Sequence, residues 1–562
     1  MVEHLQYTSL LIRSLYQYGV RHAIISPGSR STPLTIAAAI HPGIEKKVVL
    51  DERSAAFIAL GIGKATGKPA LLICTSGTAL ANYYPAVIEA KESGVPMIIL
   101  SADRPPALRG IGSSQTIDQL NIFGDRASYF HEIGEPMGKL TDIKRIHALG
   151  RQSVKIATSR GGAVHLNFPF RKPLEPSQEQ LNKEILLSKN QFRDAILDEE
   201  TVISRVLKLN PDLIRLMAAS KRPLVICGPS SPSHSLEALA RNIGALLNAP
   251  FIAEPGSSIN LQPDDLIRYD QYLRIPGVLS ELKPDLILRF GDQPFTKSIL
   301  TALEAWSDRL TIHFCSRDGE QDQTLSVDYR VQCKPEDPPD LSEIKKISTA
   351  EWKSCWIDKD KQSAEVLKQE LADTDDLTDG HVFRHLSLNL GDNWNVMLSN
   401  SFPARDMAQF GNHGKYQYVN RGTAGIDGII STAIGHHISG NRPTCCLIGD
   451  LAFLHDSNAL LSIKKMNQPF VIVVINNGGG TIFNMLPIAD MKMDELFKTY
   501  FQTPQEANIE KMAEANDISF ERITGLNKLK NLDLNTLTNS LIVECVTNAD
   551  KSMIMRKNLW QE

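Results

Sequence analysis

No apolar run in this sequence approaches the ~18 residues that a membrane span requires. The 562 residues hold no block of basic side chains and no acidic tail, and the formal net charge is only −4, which points away from nucleic acid and from a solvating arm. The eight cysteines are scattered, with no Cys-x-x-Cys. Cys74, Cys227, Cys445 and Cys446 fall inside strand-like apolar runs, which predicts buried thiols in a reducing compartment. The opening MVEHLQYTSLLIRSLYQYGV lacks a cationic start, an apolar core and a small-residue cleavage site; it predicts an amphipathic helix of the mature chain. No Ser-His-Asp or metal-hydrolase motif is present. The expectation is a cytoplasmic globular protein.

What is there is ordinary for such a protein, 42% hydrophobic and 22% charged, and too long for one core, so two to four domains are expected. Short β-branched runs alternate with helical patterns: HAIIS (22–26), ALLICTSG (70–77), PMIILSADR (96–104), PLVICG (223–228), DLILRFGD (285–292), PTCCLIGD (443–450) and PFVIVVINN (469–477). Continuous rather than alternating apolarity predicts strands buried on both faces, the mark of parallel sheets in an α/β fold. FRKPLEPSQEQLNKE (170–184) and CKPEDPPDLSE (333–343) are rich in proline and charge and read as linkers. Three α/β domains follow, 1–180, 181–340 and 341–562. Laid over each other on Pro96 and Pro469, the stretches before β-like runs in the first and third domains share one order of loop, helix, strand and polar pair, a weak echo of duplication.

Ligands of open parallel sheets bind beyond the carboxyl ends of the strands. Asp450 follows one apolar run and the Asn476–Asn477 pair follows the next. A carboxylate and an amide oxygen are hard ligands, suited to Mg²⁺ or Ca²⁺, and so sparse a set implies a phosphate-bearing partner. Gly478, Gly479 and Gly480 leave the backbone open for close approach. Each feature alone is also an ordinary cap or turn.

GDLAFLHDSNALLSIKKMNQPFVIVVINNGGG (449–480) resembles the diphosphate–metal signature of thiamine-diphosphate enzymes, GDG followed after 25–30 residues by NN. Leu451 stands where the third position is normally glycine. The resemblance implies metal ligation by Asp450, Asn477 and the Gly479 backbone, with Mg²⁺ or Mn²⁺, and places Leu451 beside the cofactor. It also requires a carboxylic acid facing N1′ of the aminopyrimidine. Glu52 in VVLDERSAAFIALGIGKATG (48–67) ends an apolar run before a small-residue helix and fills that role; its plain alternative is an acidic first helical turn.

The resemblance narrows further. SPGSRSTPLTIAAA (26–39), DERSAAFIALG (51–61), TSGTALANYYPAVIEA (75–90), SADRPPALRGIGSSQTIDQ (101–119), SNSFPARD (399–406) and NRGTAGIDGIISTAIG (420–435) are similar to the 2-succinyl-5-enolpyruvyl-6-hydroxy-3-cyclohexene-1-carboxylate synthases of menaquinone biosynthesis. Their fold is three parallel-sheet domains: a pyrimidine-binding first, a Rossmann-like middle and a diphosphate-binding third related to the first. The implied activity is a transferase reaction, decarboxylation of 2-oxoglutarate and conjugate addition of the remaining unit to isochorismate. These substrates carry four carboxylates between them, and arginine forks bind carboxylates bidentately. The matching motifs supply Arg30, Arg104, Arg405 and Arg421, and Lys297 comes from the middle domain. Gln115 matches an orienting glutamine, preceded here by Ser114 where asparagine is frequent. Ser29 and Ser401 match hydroxyls near diphosphate and substrate, Thr78 lies in the cofactor loop, and Ile426 matches the wedge that bends the cofactor. In the superfamily the two cofactor ends come from different subunits, which implies a homodimer or dimer of dimers. The alternatives are another thiamine-diphosphate carboligase, such as an acetohydroxyacid synthase or a benzoylformate-type decarboxylase, and a non-catalytic nucleotide-binding module. PLVICGPSSPSH (223–234) lacks the G-x-G-x-x-G that the last would favour.

Overall fold

The computed structural model describes residues 4–135, 140–193, 208–319, 321–344, 350–411, 414, 416–464, 466–491 and 494–560. Its strands form three sheets in which every pairing is parallel. The first holds β1 (His22–Ile25), β2 (Glu45–Val48), β3 (Ala70–Cys74), β4 (Met97–Asp103), β5 (Ala127–Glu132) and β6 (Ala163–Pro169), in the order β2-β1-β3-β4-β6-β5. The second holds β7 (Pro223–Cys227), β8 (Phe251–Ala253), β9 (Leu286–Phe290), β10 (Leu310–Cys315) and β11 (Tyr329–Gln332), in the order β11-β10-β9-β7-β8. The third holds β12 (Asn395–Leu398), β13 (Gln417–Val419), β14 (Thr444–Gly449), β15 (Phe470–Asn476), β16 (Ser519–Ile523) and β17 (Leu541–Val546), in the order β13-β12-β14-β15-β17-β16.

All seven apolar runs are strands, because their side chains are buried on both faces: every residue of β3, β4, β6, β7 and β9 is buried. Truncating one such side chain, Leu71 or Ile98 for instance, costs roughly 2–5 kcal/mol. Counted within each sheet, the first and third share one strand order, 2-1-3-4-6-5, while the middle sheet has the doubly wound order 2-1-3-4-5. The weak sequence echo thus corresponds to one topology used twice.

The chain packs as two compact units that do not follow the sheets. One comprises residues 1–202, 420–440 and 456–462; the other comprises 203–419, 441–455 and 463–562. The first unit therefore holds the first sheet together with the helix Ile429–Gly440, and the second holds the middle and third sheets.

Three local expectations change. The apolar run leading to Glu52 is not a buried strand: β2 reads Glu-Lys-Lys-Val at the sheet edge, and Val48 and Leu50 are exposed. An edge strand has no neighbour on one side and tolerates charge. The stretch 170–184 is extended only at first; from Gln178 it enters the helix Gln178–Arg193, whose Glu184 is buried against Arg13 of the N-terminal helix His4–Gln17 at 2.9 Å. All eight cysteines are free thiols, and Cys355 alone among them is exposed. Among the described residues no helix is long and apolar enough to cross a membrane.

In the middle sheet the segments beyond two strand ends stay paired. At the reversal of strand order, between β7 and β9, Gly228 N–H donates to Phe290 O at 2.9 Å and Asp292 N–H to Pro229 O at 2.8 Å. A Cβ on Gly228 would lie 2.2 Å from Asp292 O. The backbone after β7 and the backbone after β9 thus run in direct contact at the switch point.

Candidate active site

In the first unit the expected residues gather at the carboxyl ends of β1, β3 and β4. Asp51 caps the helix Glu52–Thr66 by accepting from Ser54 N–H at 3.1 Å, so Glu52 is the first helical residue. It is half-buried, and the helix behind it from Ser54 to Lys64 is buried throughout. Its charge reaches the buried Cys74 and Tyr83; burial, with Glu52 adding, pushes the Cys74 thiol up to about 12.

Arg30 is 8% exposed, donates from one terminal nitrogen to Phe170 O at 2.9 Å, and has no partner at Nε. Burial lowers its pKa, and the nearby guanidinium of Arg104 lowers it further against the opposing pull of Asp103. Arg104 donates to Ser76 Oγ at 2.8 Å and Ser114 O at 3.1 Å, and Gln115 Nε2 donates to Ser76 O at 3.1 Å. Arg104 and Gln115 therefore share Ser76 as their anchor. Gln115 has φ +54 and is exposed, as are Ser29 and Thr78. The loop before Ser29 sits tight on β3's end, since a Cβ on Gly28 would lie 2.3 Å from Thr75 Cβ.

Arg421 and Ile426 belong to the same unit, and an unexpected carboxylate sets their loop. Glu89, 2% exposed, accepts from Gly422 N–H at 2.9 Å, Thr423 N–H at 2.7 Å and Thr423 Oγ1 at 3.0 Å. Lys64 Nζ donates to Asn420 Oδ1 at 2.9 Å just before it. Ile426 is 38% exposed; an isoleucine lodged in the core is thereby excluded.

Behind Arg104 lies a second unexpected network. Asn167 on β6 donates from Nδ2 to Asp103 Oδ2 at 2.9 Å and Glu132 Oε2 at 2.7 Å, and accepts at Oδ1 from Ser101 and Gln119. Gln119 Oε1 takes Gly77 N–H at 2.9 Å, and Arg109 closes on Asp103 and Glu132 at 2.7 and 2.8 Å. Asp103, Gln119, Asn167 and His165 are fully buried, and burial drives His165 down to about 3. Arg109 and Gln119 lie within the motif 101–119 but have no role assigned there, and Glu132 ends β5 outside every motif; only the fold brings them together.

In the second unit Asp450 and Asn477 end adjacent strands β14 and β15. Asp450 Oδ1 accepts from Leu451 N–H at 2.8 Å and Oδ2 from Gly479 N–H at 2.7 Å. Burial holds its carboxyl above the usual range, the two N–H groups oppose that, and the charge of Asp379 adds to it. Gly478 and Gly479 have φ +83 and +111, and a Cβ on Gly479 would lie 2.2 Å from Gln502 O, so glycine is required there. Leu451 contributes its N–H, which needs no glycine. Asn477 Nδ2 donates to Asp379 Oδ2 at 3.2 Å.

A carboxylate, an amide and an open glycine backbone at two strand ends fit a hard cation carried with a diphosphate. Among the described residues no group of three or more His, Cys, Asp or Glu is placed to hold a metal ion by itself. Nearby, Ser401 takes φ +71 as it enters the helix Phe402–Phe410, and Arg405 donates to Ser401 O at 2.7 Å. Burial lowers the Arg405 pKa while Asp270 and Asp406 hold the charge in place. Asp270 in turn accepts from Ser298 Oγ at 2.6 Å, next to the exposed Lys297. A cavity of about 700 Å³ in this unit, lined by Asp265, Trp394, Val396, Met407 and Gln417, contains none of the expected residues.

Two family descriptions match the two halves of this chemistry: the thiamine pyrophosphate enzyme N-terminal TPP binding domain over residues 5–122 and the C-terminal TPP binding domain over residues 403–535. Full-length relatives are more specific. A protein of Gloeothece citriformis named 2-succinyl-5-enolpyruvyl-6-hydroxy-3-cyclohexene-1-carboxylate synthase is 36% identical, covering 96% of this chain and 95% of its own. Proteins of the same name from Microcystis aeruginosa and Listeria innocua are 37% and 32% identical, covering 92% and 99% of this chain and 91% and 97% of theirs. The chain belongs to this synthase family. The thiamine pyrophosphate domains and the parallel-sheet fold expected from the motifs are therefore present, and nothing supports the carboligase or nucleotide-module alternatives.

Proposed function

We propose that the chain decarboxylates 2-oxoglutarate and adds the remaining four-carbon unit to isochorismate, giving 2-succinyl-5-enolpyruvyl-6-hydroxy-3-cyclohexene-1-carboxylate and CO₂ in menaquinone biosynthesis. Thiamine diphosphate with Mg²⁺ or Mn²⁺ supplies, when bound, the carbon nucleophile and electron sink for this chemistry. Asp450, Asn477 and the Gly479 backbone would hold the metal, with Leu451, Ser29, Thr78 and Ile426 against the cofactor. Glu52 would hold a proton at N1′ of the aminopyrimidine, from the first turn of a buried helix. Arg30, Arg104, Arg405, Arg421, Lys297 and Ser401 would bind substrate carboxylates, and Gln115 would orient the reacting groups.

One observation carries the substrate class. Arg30 is buried beside Arg104, and its Nε has no partner. Two mutually repelling guanidiniums, one desolvated, fit a dianionic ligand that supplies the missing hydrogen bond. We assign the ring end of the cofactor to a domain 1–180, the diphosphate end to a domain 341–562, and a supporting role to 181–340. The two ends then fall in different domains, which favours a homodimer or dimer of dimers in the cytoplasm; a stable, active monomer in sedimentation would overturn that assembly.

The test supplies thiamine diphosphate, Mg²⁺, 2-oxoglutarate and isochorismate and follows isochorismate loss and CO₂ together. Equal consumption and release is expected. Release of CO₂ indifferent to isochorismate would overturn the synthase assignment.

A further inference from the structure

Asp379 begins the helix Asp379–Asn389, outside every motif of the sequence, and is fully buried. Its Oδ2 accepts from Asn477 Nδ2 at 3.2 Å and from Arg556 at 2.7 Å, and its Oδ1 accepts from Thr547 Oγ1 at 2.6 Å. Arg556, 2% exposed, also reaches both oxygens of Asp406, at 2.9 and 2.6 Å, and Asp406 is 1% exposed. Three charged side chains are thus sequestered together, joining the helix end at Asp379, the C-terminal helix Ala549–Trp560 and the helix Phe402–Phe410.

We propose that Asp379 is the positioning residue that selects which end of the Asn477 amide faces the metal. The inference rests on the proposed metal-binding role of Asp450 and Asn477. An ionised carboxylate accepts hydrogen bonds and cannot donate them. Whatever touches Asp379 from Asn477 must therefore be the NH₂ group, and the amide oxygen is left on the opposite side, free to ligate. Without that partner an asparagine can present either end, and only one is a ligand. Outer partners of this kind orient ligands, and their removal costs about 10–100-fold in metal affinity.

Charge supports the same role. Two carboxylates share one guanidinium, and Asp379 is close enough to Asp450 to act on it electrostatically. A divalent cation held by Asp450 and Asn477 would gain from the carboxylate of Asp379 behind them. Arg556 ties the device to Asp406, immediately after the Arg405 assigned to substrate, so the metal ligand and the substrate arginine are braced from one point.

Mg²⁺ is titrated calorimetrically into protein saturated with thiamine diphosphate, which reads affinity without turnover. Asp379→Asn is expected to weaken Mg²⁺ by roughly 10–100-fold. Asn477→Asp decides independently should Asp379→Asn fail to fold. A carboxylate is ordinarily the better Mg²⁺ ligand, but here it would face Asp379 as a like charge, so affinity should fall tenfold or more. Unchanged affinity in a folded Asp379→Asn, or increased affinity in Asn477→Asp, would overturn the proposal. Asp450→Asn tests the metal site itself: if it binds Mg²⁺ like the wild type, the site assignment fails, whereas loss there alone leaves the site standing and removes only Asp379's role.

Discussion

In the first sheet β4 ends on a carboxylate, Asp103, which accepts from an amide on β6, Asn167, at 2.9 Å. In the third sheet the equivalent strand β15 ends on an amide, Asn476, which donates to a carboxylate on β17, Glu544, at 2.7 Å. Each carboxylate also takes an arginine at 2.7 Å, Arg109 in one case and Arg522 in the other. One topology thus keeps the same tie between its fourth and sixth strands and reverses its polarity. The next residue along reverses too: Arg104, proposed to bind carboxylates, stands where the other sheet has Asn477, proposed to ligate a cation. A sheet topology used twice can keep its cross-strand bond as a structural constant while exchanging which strand carries charge, as the proposed roles of the two rims require.

The sharpest break in that parallel is chemical. The proton-holding role proposed for Glu52 is assigned to no residue at the third sheet's rim, so Glu52→Gln should cut CO₂ release by roughly 10²–10⁴-fold, while calorimetry should show thiamine diphosphate still binding. Near-normal turnover would remove Glu52 from the mechanism. The reversed ties should differ in stability. Asp103 is fully buried, and Asp103→Leu should cost roughly 3 kcal/mol in urea unfolding. Glu544→Leu should cost about 1 kcal/mol, because its arginine partner is 40% exposed and water can replace the carboxylate. Equal costs would mean the two ties are not alike in kind.

The helices before these strands offer a pH-dependent contrast. In the gapless overlay buried Tyr83 falls on buried Asp456, which accepts from Ser431 N–H at 2.7 Å and Oγ at 3.0 Å. Burial raises the Asp456 carboxyl to about 7. The folded state then holds a proton that the unfolded chain releases near pH 4, so stability falls as pH rises from about 4 to 7, by up to about 4 kcal/mol. Asp456→Asn should flatten that slope between thermal melts at pH 5 and pH 8; an unchanged slope would assign it elsewhere. A binding effect belongs to Arg30. Arg30→Met should raise KM for 2-oxoglutarate by an amount worth about 1.5–3 kcal/mol, more than it lowers kcat.

The sequence made the strands legible because parallel sheets bury both faces: HAIIS, ALLIC and FVIVVI could be nothing else once helices covered them. The edge strands were not legible. Glu45–Val48, Tyr329–Gln332 and Ser519–Ile523 carry charge, and no apolar run marks them. The site divided along the same line. Residues that touch ligands in the family reading, such as Asp450 and Arg104, sit in compact motifs. The side chains that hold them come from distant points: Glu89 from the middle of a helix, Asn167 from another strand, and Asp379 and Arg556 from either end of the third domain. Hydrogen bonds between positions 98 or 177 apart leave no local spacing to read.

The first unit is built from three separated blocks, and its final two arrive only after residues 203–419 and 441–455 have been made. At synthesis rates of roughly 5–20 residues per second, the first sheet waits on the order of ten seconds or more for the helix Ile429–Gly440 that packs against Glu52–Thr66. Until then the side of Glu52–Thr66 that packs on Ile429–Gly440 is without its partner helix. The nascent chain therefore passes through an interval in which its N-terminal third is made but unfinished, and that interval is where chaperone dependence and a propensity to aggregate should concentrate.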